Sequence, residues 1–308
     1  MNTLYDMVVM GDINLDWCSQ GLLSFPFSEL VVNGIIEWAP IDELPGGSGL
    51  NFARFAQKAG YNPLLLGKIG EGPVGDSIYA WLKQYGLESG ISRATSLGTG
   101  KAFIARDKNR IRFLVNNEPN ANQALSVLDV ERHADVIAFC NILYVSGYCA
   151  MYPEAPRKLA AERAMELARN GLKQTHIVFD VVPHLFYKIY TFSQFRELTH
   201  EVDILISEVA TMRRFLDMGH KDETLTRDEV ERTAKHLTEF YNRFILRFGP
   251  SGCDEQIIWD GRSSQLTWEE TGHDEVSESE KRGFGDRLAI RVLKEIFSLT
   301  PACEQRGM

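Results

Sequence analysis

Short apolar runs alternate with amphipathic stretches along most of the chain. MVVMGDI opens the alternation as a buried strand closed by a glycine turn. Residues 17 to 45 depart from it: LLSFPFSELVVNGIIEW is apolar, β-rich and interrupted by Pro and Gly, which predicts short strands or a hairpin. The first helix is predicted late, at SGLNFARFAQKAG, with Leu50, Ala53, Phe55, Ala56 and Ala59 suited to a buried face and Gly60 as its stop. PLLLGKIG predicts the next strand and VGDSIYAWLKQYG the next helix. GKAFIARD and RIRFLVNN predict a strand pair around a turn at Lys108–Asn109. Beyond this the alternation is regular. NILYVS, THIVFDV, VDILIS and RFILRFG predict strands. Residues 153 to 170, a stretch near 184 to 198, VATMRRFLDMG and RDEVERTAKHLTEFYN predict the helices between them. EQIIWDG and SSQLTW predict an antiparallel pair, and the last helix runs from about Gly285 to Ser298. Apolar runs alternating with helices predict an α/β fold with a mostly parallel sheet covered on both faces. Ligands of such sheets bind beyond the carboxyl ends of the strands. The two early β segments, about 17–45 and 97–115, predict a small second sheet, a candidate lid. HDEVSESEK, 273 to 281, reads as a charged connecting loop.

Composition restricts the partners. The chain has 308 residues, 44% of them hydrophobic, and a formal net charge of −9. An overall negative field disfavours nucleic acid and anionic membrane, so any anion site must be local. Five cysteines without C-x-x-C spacing predict reduced thiols and a cytoplasmic protein. Seven histidines without H-x-x-x-H or H-E-x-x-H spacing predict no built-in metal site. The N-terminus enters an apolar strand without a basic leader or cleavage site, and no apolar run approaches membrane-spanning length.

Four stretches stand where strands end: GDINLD (11–16), LPGGSGLNFA (44–53), RFGPSGC (247–253) and GFGD (283–286). Adjacent Gly46 and Gly47 let the backbone approach a ligand. Asn51, near a helix start, offers both a donor and an acceptor. Asn14 and Asp16, one residue apart on an extended segment, point the same way. A carboxylate and two amides suit the hydroxyls of a polyol. Gly283, Phe284 and Gly285 precede a helix, so their N–H groups and the helix dipole converge on an anion, with Asp286 at the helix start. Taken alone, each of these is also ordinary turn or cap chemistry.

In this order and at these separations the four stretches resemble the ribokinase-like carbohydrate kinases of the PfkB type, over nearly the whole chain. The most specific part is PGGSGLNFARFAQKAGYNPLLLGKIGEGPVGDSIYAWLKQYGL, which looks like that family's N-terminal signature. The resemblance implies a ribokinase-like three-layer sandwich with a mostly parallel central sheet and a small β lid, as one domain over residues 1–308. It implies ATP-dependent phosphorylation of a hydroxyl on a sugar or nucleoside-like molecule, with Mg2+ arriving with ATP. The acceptor falls to Asn14, Asp16, Gly46, Gly47 and Asn51. The anion hole falls to Gly283, Phe284 and Gly285, and the general base to Asp286. Nucleotide contact falls to the loop of Gly249 and Gly252, before which Arg247 stands.

The sequence also departs from that family. An N-x-x-E motif that helps hold magnesium and phosphate should fall at SEVA, 207–210, where Ser207 and Ala210 replace both key residues and Glu208 stands one register off. Glu280 and Lys281 stand where Asp and Thr are usual, and Arg287 and Arg291 where small residues are common. Two accounts follow. One is a non-catalytic, ligand-binding pseudokinase of the same fold. The other is compensation, in which Lys281, Arg282 and Arg287 neutralise phosphate charge. Arg110 and Arg112 share a face of the lid strand and meet either an anionic group or water. Trp17, Phe25, Phe27 and Trp38 lie on the lid, where they stack on a nucleobase or pack lid against lid in a homodimer.

Overall fold

The computed structural model describes residues 5–31, 38–109, 112–171, 173–219, 225–249, 252–276 and 282–301. Their strands, in chain order, are β1 (Met7–Met10), β2 (Asn14–Leu22), β3 (Ile41–Gly46), β4 (Pro63–Gly70), β5 (Ile91–Ala94), β6 (Gly100–Arg106), β7 (Arg112–Asn116), β8 (Ile142–Ser146), β9 (His176–Asp180), β10 (Ile204–Glu208), β11 (Arg243–Phe248), β12 (Glu255–Asp260) and β13 (Gln265–Glu270). Nine of them form one sheet in the order β13-β12-β11-β10-β9-β8-β1-β4-β5. Pairing is parallel from β5 through β11. It turns antiparallel at β11–β12 and β12–β13, as EQIIWDG and SSQLTW predict.

Period-two alternation assigns successive side chains of a strand to opposite faces. In β1, Val8 and Met10 enter one apolar cluster and Met7 and Val9 the other, all fully buried. The first cluster lies under the helices Pro156–Arg169, Phe192–Leu198, Val209–Phe215 and Arg227–Leu237. The second lies under Ser48–Lys58, Pro73–Gln84 and Phe284–Arg291. The result is three layers, helix–sheet–helix. Phe52 is the anchor of the second face, stacked on Tyr144 of β8 with ring centroids 3.5 Å apart. The apolar pattern of the Ser48–Lys58 helix pointed instead to Phe55, which is only partly buried.

The two early β segments form the expected second sheet, in the order β3-β2-β6-β7. β2 pairs antiparallel with β3 and parallel with β6, and β6 pairs antiparallel with β7. Three details differ from expectation. β5 is an additional edge strand, too short and too polar to show a period. The stretch near 184–198 is helical only as a 3-10 turn at Phe186–Lys188 and the α-helix Phe192–Leu198. The last helix is α-helical over Phe284–Arg291 and widens to a π-helix over Val292–Ile296. Most of HDEVSESEK, at 277–281, lies outside the described residues, as do Arg110 and Cys303. Among the described residues no helix is long and apolar enough to cross a membrane.

Candidate active site

β1, β8, β9, β10 and β11 are parallel, so their carboxyl ends open on one edge of the main sheet. That edge carries Gly11 and Asp12 after β1, Ser146 on β8, Asp180 on β9, Glu208 on β10 and Arg247 on β11. The chain leaves β1 and crosses directly into β2 of the second sheet. Asn14 and Asp16 therefore belong to the small sheet itself and stand over the edge of the large one. Both are buried, 9% and 6% exposed.

Asn14 is opposite Gly46 in the β2–β3 ladder. Its Oδ1 accepts from Asn122 Nδ2 at 2.9 Å, and Asn122 Oδ1 accepts from the Ile13 N–H at 2.9 Å. The amide of Asn14 is thereby oriented through its oxygen. Sequence reasoning missed Asn122, whose only local signal is a polar residue inside a short 3-10 turn. Asp16 lies against Gly46, where a Cβ would fall 1.9 Å from Oδ2. One carboxylate oxygen of Asp16, Oδ1, is buried without a hydrogen-bond partner. A buried acceptor without a donor costs free energy unless a ligand supplies one, and a ligand hydroxyl does so. Burial pushes the Asp16 carboxyl up to about 6; Arg282, Arg112 and the Gly47 N–H hold it back.

Gly47 is the N-cap of Ser48–Lys58, and its carbonyl accepts from the Asn51 N–H at 2.9 Å. This helix and Phe284–Arg291 share one apolar cluster, which brings Asn51 to the GFGD turn. A Cβ on Gly283 would lie 2.7 Å from Phe55 Cε2, 3.2 Å from Asp286 Oδ2 and 3.4 Å from Asn51 Cβ. Gly283 also has φ +63, the left-handed region that glycine enters without strain. Its carbonyl accepts the first helical bond, from Arg287 N–H at 3.0 Å. The earlier N–H groups of the turn are those a helix leaves without internal partners. Burial pushes the Asp286 carboxyl up to about 8, with Asp180 adding to the rise and Arg247 opposing it. Asp180 is itself raised by burial, and Tyr144 donates its hydroxyl to Asp180 at 3.2 Å. A carboxylate ending the apolar run IVFD is the sequence signal for Asp180, and it was passed over.

The residues expected to contact nucleotide separate in space. Gly249 and Gly252 form a turn with φ +108 and +80. Gly252 N–H donates to the Gly249 carbonyl at 2.9 Å. Arg247 lies in the edge of the sheet, 7% exposed, and its Nη2 donates 2.7 Å to the Gly285 carbonyl. Arg282 donates to Asp42 of β3 at 3.0 Å, joining the GFGD turn to the small sheet. Arg287 is exposed and lies over the Phe284 ring, 4.8 Å from its centroid. Arg291 pairs with Glu269 at 2.5 Å. Lys281 lies outside the described residues. Glu208, at the end of β10, pairs with His184 at 2.9 Å and stands against Gly252, where a Cβ would fall 2.9 Å from Oε1. Two side chains not singled out in the sequence, Arg157 and Asp12, form a pair at 3.3 Å, and the Asp12 backbone lies against Gly47. Among the described residues no three His, Cys, Asp or Glu side chains converge as a metal cage.

The family model for pfkB family carbohydrate kinases matches residues 22–254. That stretch includes Gly46, Gly47 and Asn51 and stops short of the GFGD turn. No curated protein matches. Solved structures share the fold at low identity. A ribokinase from Giardia lamblia superposes with a TM-score of 0.70 at 17% identity, covering 96% of this chain and 89% of that one. A putative ribokinase II from E. coli, in complex with ATP and Mg2+, gives 0.67 at 17% identity, over 99% and 87%. An adenosine kinase from Sinorhizobium meliloti gives 0.65 at 18%, over 87% and 80%.

Proposed function

The chain belongs to the pfkB family of carbohydrate kinases, and on that premise we propose that it transfers the terminal phosphoryl group of ATP to a hydroxyl of a sugar or nucleoside-like acceptor. The observation that carries this reading is the meeting of Asn51 and Asp286 at Gly283, beside Asp16 with its unpartnered buried oxygen. An acceptor hydroxyl held by Asn14, Asp16, Gly46, Gly47 and Asn51 is presented to the carboxyl of Asp286. The hydroxyl oxygen forms a bond to the terminal phosphorus as the bond from that phosphorus to the bridging oxygen breaks. The hydroxyl proton passes to Asp286, and ADP leaves. Backbone N–H groups of Gly283, Phe284 and Gly285 face the charge on the transferred group. Such transfer depends on positioning and charge stabilisation more than on covalent help. A carboxyl held near 8 is a stronger base than an ordinary one, at the cost of being protonated in much of the neutral range.

Magnesium belongs to this reading as part of the nucleotide complex. That is the usual way the ion is held, by phosphate oxygens with few protein ligands. The turn of Gly249 and Gly252, with Glu208 beside it, is where the nucleotide belongs. A homodimer through the small sheet also belongs to the reading. Trp17, Phe113 and Val115 alternate onto its outer face and are 40%, 44% and 49% exposed. Among the described residues Cys18, Cys140 and Cys149 form no disulfide, and the cytoplasmic setting expected from the sequence belongs to this reading.

One observation favours a second reading. Glu208, the carboxylate that remains within the altered SEVA motif, is engaged by His184. A relative that binds acceptor or nucleotide without transfer would show this.

The test is a mass-resolved transfer assay with Mg-ATP and a pool of sugars, sugar acids, sugar phosphates and nucleosides. One acceptor is expected to gain a phosphoryl group. Silence across the pool, with ATP or an acceptor still protecting the chain against heat, would establish the non-catalytic reading. A second expected result concerns the Arg282–Asp42 pair. Arg282→Gln and Asp42→Asn each raise the acceptor KM several-fold and leave ATP affinity unchanged. The double variant is then less than additive, with a coupling of about 1 kcal/mol. Full additivity in a double-mutant cycle would mean that the contact does not support the acceptor.

A further inference from the structure

A buried arginine is ordinarily matched to a carboxylate, because an unpaired charge removed from water is costly. Arg247 is not matched in this way. Among the described residues no carboxylate lies within ion-pair distance of it. Its Nη2 is spent on the Gly285 carbonyl at 2.7 Å, and its Nε is buried with no partner at all. The fit to the turn is close. A Cβ on Gly285 would fall 2.5 Å from Nη1 and 3.1 Å from Cζ, so the guanidinium lies flush against backbone that only glycine leaves open. Around it, from separate elements, stand Asp180 of β9, Asp286 of the last helix, Tyr144 of β8 and Cys253 of the following loop.

Resting on the kinase reading, we infer that Arg247 is the built-in cation of the transfer site: its guanidinium holds the Gly285–Asp286 turn by the carbonyl and offsets the negative charge that Asp180 and Asp286 bring together. Without it, two carboxyls in one low-dielectric pocket could not both ionise, and the base would stay protonated. Burial and Asp180 push Asp286 up, and Arg247 is the group that opposes them. Among the described residues Tyr144 and Asn51 also face this turn and are neutral; His184 and Glu208 act one step away, on Asp180. An arginine suits the role better than a lysine. Its charge is permanent, and its planar fork grips a carbonyl while leaving an N–H for a phosphoryl oxygen. Arg247 is thus a positioning residue that acts through Asp286.

The experiment is a titration of the intact chain carrying 13C-carboxyl aspartate, followed by NMR, with the Asp286 signal identified by its loss in Asp286→Asn. Arg247→Met is expected to raise the Asp286 midpoint by about one pH unit or more, while Arg247→Lys keeps it near the wild-type value. Equal midpoints in all three chains would overturn the inference and leave Arg247 a packing residue. Should the Met variant fail to fold, wild type alone decides. The 15N signal of Arg247 Nε is expected to move through the Asp286 midpoint, and a flat signal overturns the inference. The kinase reading is judged separately, by transfer to whichever acceptor the pooled assay names. Shifted midpoints without transfer in wild type leave Arg247 in its role and remove the kinase. Transfer with unshifted midpoints does the reverse.

Discussion

Asp286→Asn lowers kcat by about a thousandfold while leaving acceptor and ATP binding nearly intact, and the same change makes the chain more heat-stable in alkaline buffer. The first effect is the size expected for removing a positioned general base. The second follows from where the carboxyl sits. Its midpoint in the folded chain, about 8, lies above the ordinary value of 3.8. Between those two values the folded chain holds a proton that the unfolded chain has released. Stability therefore falls as pH rises from about 4 to about 8, and above 8 a charge is confined among Asp180, Arg247 and backbone. Asparagine keeps the shape and removes that charge. At pH 9 the variant is expected to melt at least about 2 °C above wild type. At pH 2.5 the acid is protonated in both states, so this advantage disappears. In wild type, kcat/KM rises with pH toward 8 as the base loses its proton. A variant that keeps activity, or a pH–rate profile flat from 6 to 9, would remove Asp286 from the role of base. Lost activity with unchanged alkaline melting would mean that the surroundings of the carboxyl do not raise it as far as about 8.

Gly49→Ala is the second large effect, and its sign separates local preference from packing. Alanine in place of glycine within a helix ordinarily stabilises by up to about 1 kcal/mol. Here the helix start lies directly on the turn after β1. A Cβ at position 49 would fall 2.6 Å from the Gly11 carbonyl carbon and 2.7 Å from its Cα. The contact is backbone on both sides, so no rotamer relieves it, and the helix must back away. Overpacking of this kind costs about 1–3 kcal/mol, which exceeds the gain in propensity. The variant is expected to melt several degrees lower and to bind acceptor more weakly, because Gly47 and Asn51 ride on the same helix. Gly98→Ala is the control. Nothing lies within 4 Å of its added Cβ, and its melting should match wild type. If Gly49→Ala melts at or above wild type, the two backbones do not approach this closely.

Much of the candidate site could be read before the fold was known, because it is built from residues adjacent in sequence. The alternation that puts Asn14 and Asp16 on one face is a property of one strand. The turn of Gly283–Gly285 and its helix are likewise contained in a few residues. The parallel core was legible for the same reason. Strands such as ILYVS and RFILRF are buried along their whole length, and the helices between them show one apolar stripe. β5 and the π-helical end of the last helix were not legible, because neither has a periodic signature of its own.

What local pattern determined, then, was which segments become strands and helices, which edge of the sheet collects the candidate site residues, and where the glycine turns fall. What only the tertiary structure decided was the partners. Arg247 reads in sequence as part of a nucleotide loop, yet it grips Gly285, 38 residues away. Arg282 reads as part of a phosphate cluster, yet it reaches Asp42 across 240 residues. The elevation of Asp286 depends on Asp180 and on burial that distant elements provide. Burial periodicity and turn geometry are local properties that a short peptide already expresses. Charge pairing and desolvation depend on which chain segments exclude water together, and that is settled only when the layers close.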